Sequence, residues 1–340
     1  MKNFAFTMAE ILISLTIIGV IAAITLPALQ ANINEKTWAT ERKVLYSRMS
    51  QALSMLPSLN GYGVYEGTWA DGDIVTTTSD TAAERFLTDG LSKVLQINNI
   101  CSIQLGTSSE NARKEFSKCG IPDRITTMPD MDTGKPVKIS FPTNLTELNP
   151  MFTSTYSYVW QGNPGSYRNP QRHINTNAAA FETKNGKSIA VFYNPYCQPD
   201  MGETYEASVY SQPKMCANFV YDLNGKKGPN KVGKDIGFIT ALYPTDGEIV
   251  APMPLEKNAG GGNQTLAAAA CKAKDENSRM PNHYELMSMF YNRQLIGIKP
   301  TNYWSSTVTS TGKALRMAAA GGFLSALDRS GTHYYRCIKR

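Results

Sequence analysis

Two kinds of residue in this 340-residue chain have types and spacings that could do chemistry: six cysteines, and one carboxylate set inside a long apolar run. The cysteines contain no C-x-x-C pair and the three histidines are scattered, so they do not make a zinc ligand set. In an exported chain they read as disulfides. Six cysteines allow 15 pairings, and nearest-neighbour spacing favours Cys101 with Cys119, Cys197 with Cys216 and Cys271 with Cys337. The carboxylate is Glu10, the single charge between Phe6 and Leu29. A carboxylate in such surroundings costs about 2.5–3.5 kcal/mol at a bilayer centre, so it calls for a cationic partner and a function.

The element that must position Glu10 is a helix. Phe6 to Leu29 spans 24 residues, about 36 Å at 1.5 Å per residue, against a bilayer core of about 30 Å. The expectation is a transmembrane segment over residues 6–30. Only five residues precede it, with Lys2 as their cation. With Lys2 inside and the bulk of the chain outside, the expected topology is single-pass. From Ala31 to Leu56 the pattern turns amphipathic, with Trp38, Leu45, Met49, Ala52 and Leu56 at spacings of three, four or seven, and Pro57 is expected to end the helix.

Ala5-Phe6-Thr7, Glu10 and the apolar run resemble the N-terminal cleavage and methylation segment of type IV prepilins and type II secretion pseudopilins. The resemblance implies cleavage between Ala5 and Phe6 by a prepilin peptidase and N-methylation of the Phe6 amine. Ala5 stands where the family usually has glycine. Phe6, Thr7, Glu10, Gly19 and Pro27 would be the assembly residues, the last two standing where the family often breaks its first helix. In a bundle of parallel helices each Glu10 could face the Phe6 amine of a displaced neighbour, which favours one register. Pro27 removes a backbone hydrogen bond and disfavours helix at Leu26. The other readings of this segment are a plain signal anchor and a signal peptide cut near Ala22-Ala23.

Residues 58–80 read as loop, and Thr81-Ala82-Ala83-Glu84 as a capping box opening a helix to about Gln96. Ala178–Thr183 and Ser188–Tyr193 flank Asn185-Gly186, a hairpin signal. Cys216–Leu223, Ile236–Leu242 and Glu248–Val250 extend this to an antiparallel sheet of about four strands able to cover the first helix. Residues 222–235 resemble a recurrent loop of pilin-like proteins. Asp222, Asn224 and Asp235 there could offer oxygens to calcium, while four lysines in the loop oppose a cation.

Pro252–Gln264, with three successive glycines, reads as a linker. Beyond it come a helical Thr265–Glu276, then Arg279-Met280-Pro281-Asn282, Glu285-Leu286, Tyr303-Trp304-Ser305-Ser306-Thr307, Gly321-Gly322 and Arg336-Cys337. This series resembles small C-type-lectin-like domains of the sulfatase-modifying-factor-related group. The resemblance implies a structural Cys271–Cys337 disulfide and a recognition role. Tyr303 and Trp304 read as core. From Thr265 onward eleven Lys and Arg face four acids, net +7 against +6 for the whole chain, which favours anionic partners.

The expected fold is α+β: a long N-terminal transmembrane-to-amphipathic helix packed on an antiparallel sheet, then a small C-type-lectin-like module. Its parts would be a leader (1–5), a transmembrane segment (6–30), a pilin-like domain (31–251), a linker (252–264) and the module (265–340). The expected function is a minor structural subunit of a type IV pilus or pseudopilus with a C-terminal recognition or adhesion module. The alternatives are a type II secretion pseudopilin and a DNA-capturing competence pilin. No enzymatic activity and no cofactor other than calcium are expected. The expected partners are other pilin or pseudopilin subunits, the prepilin peptidase and N-methyltransferase, an inner-membrane assembly platform, and an anionic surface polymer or DNA. The expected location is the inner membrane, with the C-terminal domain outside, and then a periplasmic or cell-surface fibre.

Overall fold

The computed structural model describes residues 8–60, 82–103, 107–150, 178–193, 214–243, 248–250, 260–274, 276–318 and 323–339. The chain divides into two units, Met1–Val44 and Leu45–Arg340. Helix α1 (Met8–Asn60, 53 residues) supplies the first unit and opens the second. Its backbone stays helical past Gly19 and Pro27, and Pro57 lies inside the helix rather than ending it. Thr16 Oγ1 donates to Leu12 O at 2.7 Å and Thr25 Oγ1 to Ile21 O at 2.8 Å. These hydroxyls are thereby satisfied within the helix itself.

Among the described residues no helix is long and apolar enough to cross a membrane. This corrects the transmembrane-to-amphipathic helix of the expected fold and the single-pass inner-membrane location. From Glu35 onward α1 carries charges at Glu35, Lys36, Glu41, Arg42, Lys43 and Arg48.

The second unit is built on a six-stranded antiparallel sheet. Its strands are β1 (Ile97–Ser102), β2 (Ala178–Thr183), β3 (Ser188–Tyr193), β4 (Lys214–Asp222), β5 (Ile236–Tyr243) and β6 (Glu248–Val250), each beside its neighbour in sequence. The Asn185-Gly186 hairpin forms as the sequence predicts. Gly186 takes a φ of 73° and Thr183 pairs with Lys187 across the turn, a conformation glycine adopts without a Cβ penalty. The sheet has six strands rather than about four. The added β1, which the sequence pattern does not mark as a strand, pairs with β2. The helix expected from Ala82 to Gln96 is instead an α-turn at Ala82–Arg85, a wider turn at Phe86–Gly90 and a 3-10 turn at Leu91–Lys93.

Both faces of the sheet are buried, which is why β3 reads Ser-Ile-Ala-Val-Phe-Tyr with no residue exposed. On one face Phe86 stacks on Tyr193 at 4.5 Å and approaches Phe219 at 6.3 Å. The α1 residues Leu45, Met49, Ala52, Leu53 and Leu56 are buried as well. Four of the five predicted stripe residues are thus buried, and Trp38 is half-buried.

The opposite face carries Ala180, Ala190, Phe192, Val220 and Phe238. They share one apolar cluster with Leu286, Met289, Phe290, Leu295, Tyr303 and Ile338. Those partners come from α4 (His283–Tyr291), α5 (Arg293–Ile296), a second sheet and, for Ile338, a two-stranded ribbon of Ser278–Arg279 with Ile338–Lys339, taking α2 as Ser109–Lys118 and α3 as Gln264–Lys274. The second sheet comprises β7 (Gly260–Gly262), β8 (Asn302–Val308), β9 (Ala314–Ala318), β10 (Phe323–Leu327) and β11 (His333–Tyr335), in the order β10-β9-β8-β11-β7. The C-terminal residues therefore do not follow the first sheet as a small separate module, which further corrects the expected fold. Gly260–Gly262, read as linker, is an edge strand on His333–Tyr335.

A closed polar network crosses this shared core. Asn218 Nδ2 donates to Asn292 Oδ1 at 2.8 Å and Asn292 Nδ2 donates back to Asn218 Oδ1 at 3.0 Å. Thr240 Oγ1 donates to Asn218 Oδ1 at 2.7 Å and lies 2.7 Å from Ser288 Oγ. All four residues are fully buried. Replacing Asn292 with Ala strands the amide of Asn218, at a cost of about 1–3 kcal/mol per buried unsatisfied group. Asn292→Ala is expected to lower stability by about 2–3 kcal/mol in urea denaturation. Far-UV and near-UV circular dichroism should still give one coincident transition, because strand and helix residues belong to one core. Two separate transitions would contradict that core.

Candidate functional site

The predicted processing residues Ala5, Phe6 and Thr7 lie outside the described residues, as does the Glu10 side chain. Gly19 sits in α1, and a Cβ built there meets nothing within 4 Å. Pro27 is placed only as helical backbone. Around Gly19 lies the feature that stands out in the first unit. Met8, Leu12, Ile13, Leu15, Ile17, Ile18, Val20 and Ile21 are 54–80 % exposed. At 100° per residue these positions go all the way round the helix rather than along one stripe. A single flat partner cannot cover them.

Two of the predicted disulfides are present. Cys101–Cys119 joins β1 to the residue after α2, and Cys271–Cys337 ties α3 to the residue before Ile338. Cys216 is also disulfide-bonded, and Cys197 lies outside the described residues.

The C-terminal motif residues have structural partners. Arg279 forks Glu285 with nitrogen–oxygen distances of 2.6 and 2.7 Å. Glu285 also accepts from the Asn282 backbone while Asn282 caps the Glu285 N–H, so Arg279, Asn282 and Glu285 fix the start of α4. Glu285 holds the Arg279 guanidinium above its ordinary range by hydrogen bonding. Trp304 is fully buried and its Nε1–H donates to Gly262 O at 3.0 Å. Tyr303 is fully buried too, and burial pushes its hydroxyl up to about 12. Not all of the +7 charge is on the surface: Arg336 is fully buried, and Arg279 is paired. Lys272, Lys274, Lys313 and Arg329 are exposed.

The loop between β4 and β5 is tightly tied. Asp235 accepts from the backbone N–H groups of Asn230 and Lys231, both at 2.8 Å. Asp222 Oδ1 accepts from Asn224 N at 3.0 Å, and Asn224 Nδ2 donates to Gly228 O at 2.8 Å. Asp222 and Asp235 are fully buried. Burial, reinforced by the Asp235 charge, pushes the Asp222 carboxyl up to about 7. Among the described residues no group of three His, Cys, Asp or Glu side chains could hold a metal ion. The three predicted calcium ligands therefore share a loop, but Asp235 spends both oxygens on backbone.

No family model matches this chain, and no curated protein is similar to it.

The Cys271–Cys337 bridge closes a separation of 66 residues that contains α4, α5 and β8. Loop entropy of that size restrains the unfolded chain by roughly 4 kcal/mol. The Cys271→Ser, Cys337→Ser double variant is expected to lose about that much stability. The loss should appear as a lower urea midpoint for the whole second unit, since its apolar cluster extends into the first sheet. A local C-terminal transition with an unmoved main midpoint would contradict this.

Proposed function

We propose that this chain is a structural subunit of a pilin-type fibre that assembles by burying the α1 residues from Met8 to Ile21 against the same helix of neighbouring copies. The observation that carries the reading is the apolar surface extending all round α1. Burial of each such side chain stabilises by about 1.5–3 kcal/mol, and full coverage needs neighbours on several sides. A bundle of identical helices supplies them. The threonine hydroxyls support the reading, because their hydrogen bonds are made inside the helix and survive burial. The segment Ala5-Phe6-Thr7-Met8-Ala9-Glu10 supports it through its resemblance to prepilin processing sites. On this reading a prepilin peptidase frees the Phe6 amine, an N-methyltransferase modifies it, and Glu10 pairs with it across neighbouring copies. The chain works by assembly and not by catalysis.

Two measurements test this. Ile17→Lys places a charge in the proposed bundle and is expected to abolish recovery of sheared fibres, while circular dichroism of the second unit stays unchanged. Normal fibre yield from this variant would sink the bundle. Mass spectrometry of fibre subunits should find methylated Phe6 at the N-terminus. A subunit that retains Met1–Ala5 would remove the processing step.

A further inference from the structure

A concave groove of about 450 Å³ opens where three stretches of the second unit meet. Its volume falls in the range of about 300–1,000 Å³ common to small-molecule sites. The first stretch is the end of α2 and the turn after it, which bring Ser117, Pro122 and Asp123. The second is a two-stranded ribbon of Arg124–Thr126 with Lys138–Ser140. The third is the β4–β5 loop.

Backbone hydrogen bonds fasten the three together. Thr126 N donates to Asn230 O at 2.8 Å and Val232 N donates to Thr126 O at 2.9 Å, which joins ribbon to loop. Phe141 N donates to Asp123 O at 2.8 Å. Asp235 clamps the Asn230 and Lys231 N–H groups. A frame already ordered lowers the entropy cost of binding.

Alternation along the ribbon decides which side chains face outward. Ile125 is buried, while Arg124 and Lys138 are exposed. Arg124 stands opposite Ser140 and Thr126 opposite Lys138, so Arg124 and Lys138 are diagonal neighbours on one face. Lys226, exposed on the loop, is the third cation of the lining. None of the three makes an ion pair among the described residues. Three cations against the one carboxylate of the lining, Asp123, leave the groove at +2. Asn230 also lines it, and Asn230 Oδ1 has no hydrogen-bond partner.

Charge alone would attract any polyanion, and the rest of the lining narrows the choice. Among the described residues no aromatic side chain lines the groove. It therefore lacks the stacking that contributes about 1–3 kcal/mol per base in single-strand binding. A phosphodiester backbone offers acceptors only, which leaves Asp123 and Asn230 Oδ1 with nothing to accept. A ligand with carboxylates and free hydroxyls satisfies both kinds of group. Its planar carboxylate matches the Arg124 fork, and Lys138 and Lys226 add point charges. Its hydroxyls donate to Asp123 and Asn230 Oδ1 and meet the Ser117 and Thr126 hydroxyls.

We infer that this groove binds an acidic saccharide of the uronic-acid class. It lies wholly within residues 117–230, apart from the positive C-terminal residues, and does not rest on the fibre reading.

The test is calorimetric titration of the full chain in non-ionic detergent with tetragalacturonate at low salt. Maltotetraose and a short oligothymidylate serve as comparison probes. The expected result is saturable binding of tetragalacturonate and none of neutral maltotetraose. Arg124→Ala and Lys138→Ala should each weaken it about tenfold, the size of one hydrogen bond to a charged group, with the thermal melt unmoved. Asp123→Ala separates recognition from charge attraction. It weakens binding where Asp123 accepts from sugar hydroxyls, and strengthens binding where only net charge matters. Absence of heat with tetragalacturonate overturns the site. Tighter binding by Asp123→Ala overturns saccharide recognition. Oligothymidylate binding as tight as tetragalacturonate overturns the ligand class in favour of nucleic acid. Unchanged affinity in both cation variants overturns the location.

Discussion

The second unit depends on one reciprocal contact, the paired amides of Asn218 and Asn292. Asn218 lies in the middle of β4 and Asn292 at the end of α4, so their two bonds fix strand and helix to one register. An apolar interface alone tolerates sliding, because many packings bury similar area. A buried amide does not, since a shift of one position would leave up to four polar groups without partners. Thr240 and Ser288 complete the network from β5 and α4. The core on this face can therefore be assembled in one way only, and residues 74 positions apart are committed to each other.

The parts of this fold legible in the sequence are those decided locally. Asn185-Gly186 specifies a turn whatever surrounds it, and the hairpin Ala178–Thr183 with Ser188–Tyr193 lies where the pattern puts it. Glu248–Val250 and the helix at Gln264–Lys274 follow for similar reasons. What failed was decided at long range. In β4 nothing local marks Asn218 as core, and its burial comes from pairing with Asn292 at the end of α4. Gly260-Gly261-Gly262 looks like a linker because nothing local distinguishes a flexible glycine run from an edge strand. Gly260 is required because the Tyr335 ring would lie 2.5–2.6 Å from any Cβ there. β1 was hidden by its asparagines, which sit on its exposed positions.

The candidate sites divide the same way. The Cys101–Cys119 pair followed from spacing because its partners are 18 residues apart, whereas Cys271–Cys337, 66 apart, is brought together by the fold. The β4–β5 loop was marked by its acids, but the spacing of acids could not say which oxygens were already spent. Asp235 looked like a ligand and is a clamp. The membrane span was inferred from a continuous count of apolar letters, and among the described residues no helix is long and apolar enough to cross a membrane.

The two units solve opposite problems. The second buries its apolar side chains against its own residues and ties strand to helix through the Asn218–Asn292 amides. The first presents Leu12, Ile13, Leu15, Ile17, Ile18, Val20 and Ile21 in every direction and has no second element among its described residues to cover them. A helix of this kind gains little from folding back, because one contact surface hides only part of its circumference. It gains most from being surrounded. That asymmetry is the physical basis for reading the first unit as an assembly element. A self-sufficient second unit can then keep its structure before neighbours arrive, while the cost of an uncovered apolar helix supplies the drive to acquire them.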